Sequence, residues 1–323
     1  MFKLLAFLVT MSYVAGYSVD VCYASQKYPF VSSLQDKFCY SKHNLFKKPS
    51  KNNMGKILYW VKDVNNLDEK DIIRLRNDVS KYGAVVIKKQ RLTRYQQEAF
   101  TAKLGETIIL PSSFQGNNSY LGHPAIAAVS NYWQNGSWKG PQHSFGQYWH
   151  KDGNYFPYPK NFIFSILYGD EISSFLEGGG TGFIDACLAR DYAPQHILKI
   201  LKDTKIIVKV NFITDFRNGL KEHLERYPTA EHRFIFKHPL NKRECVFLFK
   251  VTEEQELFYT QEELRAFDEI WKFMQQELFF YFHKWSQGDI LIWDNMAVFH
   301  RAMPIIDKGE KRTLYRTMVR INL

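Results

Sequence analysis

The sequence predicts an all-β core with flanking helices, arranged as a double-stranded β-helix, or jelly roll. Three observations point there. Many short apolar segments are bounded by Gly, Pro, Asn and Asp, while few segments carry helical periodicity. Aromatic residues reach 16%, with 26 Phe and 19 Tyr, which suits a large β core, though a skewed codon composition gives the same count. Side chains able to ligate a metal fall on or beside predicted strands. The 323 residues, 45% hydrophobic and 24% charged, suffice for one large domain or two small ones.

At the amino end, Met1-Phe2-Lys3 precedes an apolar run from Leu4 to Ala15, then small residues. Residues 1–18 read as a signal peptide, with a buried strand or helix as the alternative. The expected destination is the secretory pathway or an organelle reached through it; the alternative is the cytoplasm. The run is short for a membrane span, and no other segment approaches that length. Residues 19–55 are polar and irregular and read as an extension, leaving 56–323 as the jelly-roll domain.

Within that domain, Ile57–Val61 reads as a strand. Asp68 opens a helix with acidic residues in its first turn, Ile72, Leu75 and Val79 line one face, and Gly83 ends it. Ala84–Ile87 is a buried strand, and Thr93 begins a helix with Phe100 and Leu104 on its apolar face. Residues 107–130 read as a long Gly, Asn and Ser-rich connection, the kind that carries substrate contacts. Phe145–His150 and Asn161–Tyr168 are predicted strands, the second central because it is nearly all apolar. A Gly-rich turn from Gly178 leads into a strand ending at Asp185, and 188–201 is helical in two pieces around Pro194. Ile206–Phe212, Phe234–Asn241 and Cys245–Phe249 are strands. Gln261–Tyr281 is a helix, Gln287–Asp294 a turn and strand, and Arg312–Ile321 the last strand.

The net charge of +10 and pI near 9.2 fit either an anionic partner or a solvated lysine surface. The lysines are scattered and no nucleic-acid motif occurs, which favours the solvated surface. Of four cysteines, Cys22 and Cys39 can pair in an oxidising compartment, while Cys187 and Cys245 are expected to stay reduced inside the fold. No C-x-x-C is present, which argues against a thiolate zinc site. Sequons stand at Asn117 and Asn135.

The chemistry gathers at Trp149-His150-Lys151-Asp152-Gly153. On an extended segment His150 and Asp152 point to one face. With His300 from a later strand they give two imidazoles and one carboxylate, the facial triad of non-heme Fe(II) with open positions. The tripeptide alone is weak evidence and better describes a surface Asp beside a packed His. Arg312 and Arg316, four apart on the last strand, share a face. Two guanidiniums turned into a pocket are costly unless they bind anions, so a metal plus one or two carboxylates is expected there. Exposed arginines are the alternative, and Lys311 and Arg320 dilute the pattern.

The layout of residues 57–321 resembles the TauD/TfdA family of Fe(II)- and 2-oxoglutarate-dependent dioxygenases. The resemblance rests on Tyr82–Lys88, Leu92–Glu106, Trp149–Asp152, Gly179-Gly-Thr181, His238-Pro239, Trp293-Asp-Asn295, His300 and the Arg312/Arg316 pair, in that order. It implies a cupin-like jelly roll in which His150, Asp152 and His300 hold the iron. Thr181 and Arg312 would hold the distal carboxylate of 2-oxoglutarate. Arg316 would face an anionic small-molecule substrate or help hold the cosubstrate. His123, in the long connection, and His143, after it, are further substrate candidates. The gap from His300 to Arg312 is one residue longer than the family pattern, which leaves the division between the arginines open. The implied reaction decarboxylates 2-oxoglutarate to succinate and CO2, with O2 as cosubstrate and ascorbate as an aid. It oxidises an unactivated C–H bond of a small carboxylate-bearing molecule by hydroxylation, desaturation or ring closure. Asp152 disfavours a halogenase, whose halide takes the place of that carboxylate. The leader fits specialised metabolism, as in kainoid synthases, and a homo-oligomer is compatible with the reading. The competing readings are a Zn2+ hydrolase on the same ligands, a non-catalytic jelly-roll binding protein and a nucleic-acid demethylase.

Overall fold

The computed structural model describes residues 54–58, 63–109, 119–120, 122–131, 133–134, 137–138, 146–208, 229–249, 253–306 and 309–322. The leader 1–18 and residues 19–53 of the extension lie outside the described residues, as do Cys22, Cys39, Asn117, Asn135 and His143.

Strand β1 (Lys56–Leu58) is followed by helix α1 (Glu69–Tyr82) and strand β2 (Ala84–Ile87). Asp68 caps α1 by accepting from the Asp71 amide while the Asp71 carboxylate accepts from the Asp68 amide. Gly83, at φ 70°, ends the helix where the sequence expects it. Helix α2 (Arg94–Leu104) has the same reciprocal cap between Thr93 and Gln96. Then come β3 (Glu106–Thr107), β4 (Ser119–Tyr120), β5 (His123–Ser130), β6 (Trp133–Gln134), β7 (Ser137–Trp138) and β8 (Ile163–Ile172). The Gly-rich turn delivers β9 (Thr181–Asp185), then α3 (Ala186–Tyr192) and α4 (Gln195–Leu201), separated at Pro194. The remainder is β10 (Lys205–Val208), β11 (Ala230–Arg233), β12 (Ile235–Lys237), β13 (Glu244–Val246), α5 (Glu253–Glu256), α6 (Gln261–Met274), β14 (Phe280–His283), β15 (Ile290–Asp294), β16 (Val298–Ala302) and β17 (Arg312–Arg320).

The larger sheet runs β1-β2-β15-β8-β17-β5-β4, with β3 also on β17; β1 and β2 are parallel and every other pairing is antiparallel. Strand β8 is central, as its nearly unbroken apolar run requires. A smaller sheet, β14-β9-β16, carries His300. Side chains alternate across the larger sheet. One face packs Phe164, Ile166, Tyr168, Ile290 and Ile292 against Leu75 and Val79 of α1 and Phe100 and Leu104 of α2. The other face carries Ser165, Trp293 and Arg316, and all three reach the site described below.

Four expectations need correction. Residues 123–130 are not connection but a strand of eight residues laddered to β17, hidden because Ala and Pro replace the usual β-branched residues. Phe145–His150 is not a strand: among its described residues only His150 makes a bridge, to His300, and Gly146 turns the chain at φ 72°. Helix α6 stops at Met274, and the apolar residues 280–283 form β14. Cys187 and Cys245 are not reduced but joined in a disulfide, because α3 packs on β13 and brings together residues 58 apart. Among the described residues no helix is long and apolar enough to cross a membrane.

Closing a loop of 58 residues removes chain entropy worth about 4 kcal/mol. Cys245→Ser is therefore expected to lower unfolding free energy by about that amount in urea. Finding both thiols alkylated in the untreated native protein would contradict the cross-link.

Candidate metal centre and its comparisons

His150 sits in a reciprocal backbone pair with His300: each amide donates to the other's carbonyl, at 3.0 and 2.9 Å. This pair brings the imidazole rings to 4.1 Å between centroids. Alternation then carries Asp152 back to the same side, 3.8 Å from His150 Nε2 and 3.6 Å from His300 Nε2. Lys151 points the other way, is buried, and donates to the Met296 carbonyl at 2.7 Å. Gly153 makes the turn possible. It has φ 68°, and a Cβ there would lie 2.3 Å from Ile163 Cδ1. One ligand atom from each of His150, Asp152 and His300 lies within 4.8 Å of the others, so the three can close on one ion.

The protonation states suit a cation. Burial by itself would raise the Asp152 carboxyl. The Arg316 guanidinium and the Ser165 hydroxyl oppose it, and the group is held well below the usual carboxylate range. Burial, with His150 beside it, pushes His300 well below the ordinary imidazole value and keeps it neutral. His150 Nδ1 lies 2.7 Å from the Tyr148 carbonyl, which can only accept. The proton therefore resides on Nδ1, and the Nε2 lone pair is free to ligate. His300 Nδ1 is buried with no hydrogen-bond partner among the described residues.

The other expected site residues divide. Arg316 Nη1 lies 3.4 Å from Asp152 Oδ1. Arg312 is buried and donates Nη1 to the Gly179 carbonyl, so it joins the Gly-rich turn that leads to Thr181. Its Nε has no partner among the described residues, and burial lowers its pKa to about 10. Thr181 is buried, and its hydroxyl accepts from Trp285 Nε1 at 3.1 Å. His123 is not drawn into the triad's cluster. Its Nδ1 lies 2.7 Å from Glu98 and its ring meets Tyr95 edge-on, both on α2. His238 is buried against Asp294 at 2.9 Å, and its Nδ1 accepts from the Leu240 and Asn241 amides, so this motif anchors the turn before β16. A separate cleft of about 520 Å3, lined by residues such as Lys89, Arg91 and Asp170, holds none of the triad.

One residue at the site, Ser165, escaped the sequence reading, and Asn295 was read only as part of a motif, without a role. Ser165 donates to Asp152 Oδ2 at 2.7 Å, and Asn295 accepts from the Asp152 amide at 3.0 Å. The available signal was a lone serine inside the apolar run Phe162–Tyr168.

The family described as "Taurine catabolism dioxygenase TauD, TfdA family" matches residues 48–318. The chain belongs to this family. The (S)-phenoxypropionate/alpha-ketoglutarate-dioxygenase of Sphingobium herbicidovorans is 25% identical over 287 residues, covering 82% of this chain and 91% of the relative. Pentalenolactone F synthase of Streptomyces arenae is 20% identical, covering 81% of this chain and 90% of the relative. Among solved structures, AAD-2 in complex with Mn(II) and N-oxalylglycine has a TM-score of 0.65 at 21% identity, covering 83% of this chain and 95% of that one. A taurine dioxygenase from Burkholderia xenovorans has a TM-score of 0.62 at 22% identity, covering 85% and 90%. These likenesses bear on the fold, and they bear out the double-stranded β-helix. The protein is a dioxygenase, an oxidoreductase that uses Fe(II) and 2-oxoglutarate on a small substrate. Membership sets aside the zinc hydrolase and the non-catalytic binding protein.

Next to the site, the buried His232 donates Nε2 to the Asn154 carbonyl at 2.6 Å and ties down the segment after Asp152. Burial, with a smaller contribution from Lys151, lowers its pKa to about 4 although the Asn154 bond opposes this. The unfolded chain takes up that proton near ~6.5. Between those values the unfolded state binds more protons, so stability is lost as pH falls from ~6.5 towards 4. The urea midpoint, measured with chelator present, is expected to drop between pH ~7 and ~5. His232→Gln should flatten that slope, and an unchanged slope would refute the assignment.

Proposed function

We propose that His150, Asp152 and His300 hold the Fe(II), that Arg312 with Thr181 holds the distal carboxylate of 2-oxoglutarate, and that Arg316 faces a carboxylate on the primary substrate. The observation that carries the reading is the convergence of the three ligand atoms within 4.8 Å, on a bridged pair of segments with the Arg316 guanidinium 3.4 Å from Asp152.

The donor set suits Fe(II): two imidazoles and one ionised carboxylate, leaving positions open. Bound there, Fe(II) with 2-oxoglutarate and O2 supplies the oxidant for a C–H bond, with succinate and CO2 as co-products. The chain's own residues prepare that chemistry. Tyr148 fixes the His150 tautomer through its carbonyl. Ser165 and Arg316 keep Asp152 ionised. Arg312 is buried with its Nε unmatched, a group that a bound carboxylate would satisfy. Arg316 brings a second fixed positive charge beside the triad, which favours a substrate carrying a carboxylate over a neutral one. Outside the site, the signal-like residues 1–18 and the Cys187–Cys245 disulfide support a secretory destination, since such cross-links persist in oxidising compartments.

The test is anaerobic visible absorption of the purified protein with Fe(II) and then 2-oxoglutarate. A weak charge-transfer band near ~500 nm is expected, as for a 2-oxo acid chelated at an open facial site. His150→Ala should abolish it, and a band that survives this change would sink the metal assignment. Small carboxylates that shift the band then identify the substrate class. Arg312→Gln is expected to raise the KM for 2-oxoglutarate by about 10–100-fold, the cost of a lost charge-assisted hydrogen bond. An unchanged KM would remove Arg312 from the cosubstrate site.

A further inference from the structure

We infer that Asn295, acting through Ser165, is the positioning residue for the Asp152 ligand. This rests on the metal assignment above and assigns roles to two residues beyond it. Every hydrogen-bonding position of the Asn295 amide is used. Its Oδ1 accepts from the Asp152 amide and from Trp293 Nε1, both at 3.0 Å. Its Nδ2 donates to the Ile163 carbonyl at 3.1 Å and to Ser165 Oγ at 2.9 Å. Those partners fix which way the amide faces, since the two N–H donors can only meet Oδ1 and the carbonyl can only meet Nδ2.

That orientation sets the serine proton. Ser165 Oγ accepts from Asn295 and has one hydrogen, which goes to Asp152 Oδ2 at 2.7 Å. The relay therefore runs one way, from amide to hydroxyl to carboxylate. One oxygen of Asp152 is engaged by Ser165, and the other, Oδ1, is the oxygen next to Arg316 and His150. The same amide also holds the Asp152 backbone, so position and carboxylate rotation are set together. Asn295, Ser165 and Trp293 are buried, so water does not replace the missing partner when one is removed.

Partners that orient a ligand govern metal affinity by about 10–100-fold. Calorimetric titration of the metal-free protein with Mn(II) is therefore expected to show binding weakened by about that factor in Ser165→Ala. Asn295→Asp keeps the shape but turns the donor into an acceptor, so Ser165 donates to the new carboxylate and releases Asp152; its loss should match that of Ser165→Ala. The double variant should lose no more than either single one, because all three break the same relay. Melting temperature of the metal-free Ser165→Ala protein should stay within a few degrees of wild type, which separates positioning from general destabilisation. Should Asn295→Asp not fold, Ser165→Thr, which keeps the hydroxyl, should restore Mn(II) affinity relative to Ser165→Ala. Wild-type affinity in Ser165→Ala, or additive losses in the double variant, would overturn the inference. Failure of the wild type to bind Mn(II) would instead overturn the metal assignment on which it rests.

Discussion

The carboxylate proposed as a metal ligand, that of Asp152, has to stay ionised where water is scarce, and the residues around it are arranged to meet that demand. Only 10% of its side chain is exposed, and burial by itself drives it towards the neutral acid. The groups that surround it come from separate strands. Ser165 stands on β8, Arg316 on β17 and His300 on β16, while Asn295 follows β15. No local segment can supply them together. The carboxylate is stabilised only when the larger sheet and the β14-β9-β16 sheet are both formed, so ligand chemistry and tertiary structure are coupled.

The same strands also have to build the helix-packed layer. In β8, Phe164, Ile166 and Tyr168 pack with Leu75, Val79 and Phe100, while Ser165 between them turns to Asp152. In β17, Thr317 bonds Thr101 of α2 and Tyr315 lies under the Arg94 guanidinium, while Arg312 and Arg316 face the other way. A slip of one residue would exchange the two sets, placing arginines under the helices and aromatics beside Asp152. Burial on the helix side therefore fixes the register on which the site depends. The one irregularity in the β8–β17 ladder is consistent with this. Residue Asp170 is left unpaired opposite the step from Thr313 to Leu314, and it is ion-paired with Arg94 at 2.6 Å. The bulge lies between the partners of Arg312 and Arg316, and β17 keeps its own alternation through it.

What was legible in the sequence follows from the range of each interaction. Helix starts at Asp68 and Thr93 were readable because their caps lie within three residues. His150 and Asp152 were readable because alternation on an extended chain is local. Strand β5 was not, since its Ala-rich composition carries no β signal and its pairing to β17 is a tertiary fact. The helix at 261 overran because Phe280–Phe282 continue an apolar pattern that helix and strand share, and only pairing with β9 decides between them. The Cys187–Cys245 bond joins residues that only the packing of α3 on β13 brings together. Asn295 was visible as part of a motif, but its role needs Asp152, 143 residues away.

The arginines show how spacing and structure share the work. Four residues along a strand span about 13 Å, so two side chains on one face serve two separate places. Arg312 ends on the Gly179 carbonyl and Arg316 beside Asp152, in agreement with that separation. His300 is held by β9 and by the His150 bridge, and Arg312 by β8 and by the Asn131 side chain, which accepts from its amide at 2.8 Å. The connection itself is laced to the Gly-rich turn: Met303 bonds Gly180, Gly179 bonds Pro304, and Ile306 bonds Glu177. His300 and Arg312, at the two ends of the segment, are thus each fixed by a ladder. Gly178 is what allows the turn to lie so close. A Cβ at that residue, which has φ 85°, would stand 2.3 Å from the Pro304 carbonyl oxygen. The turn leading to Thr181 and the approach to Arg312 therefore form one packed unit, tied again where Arg312 donates to the Gly179 carbonyl.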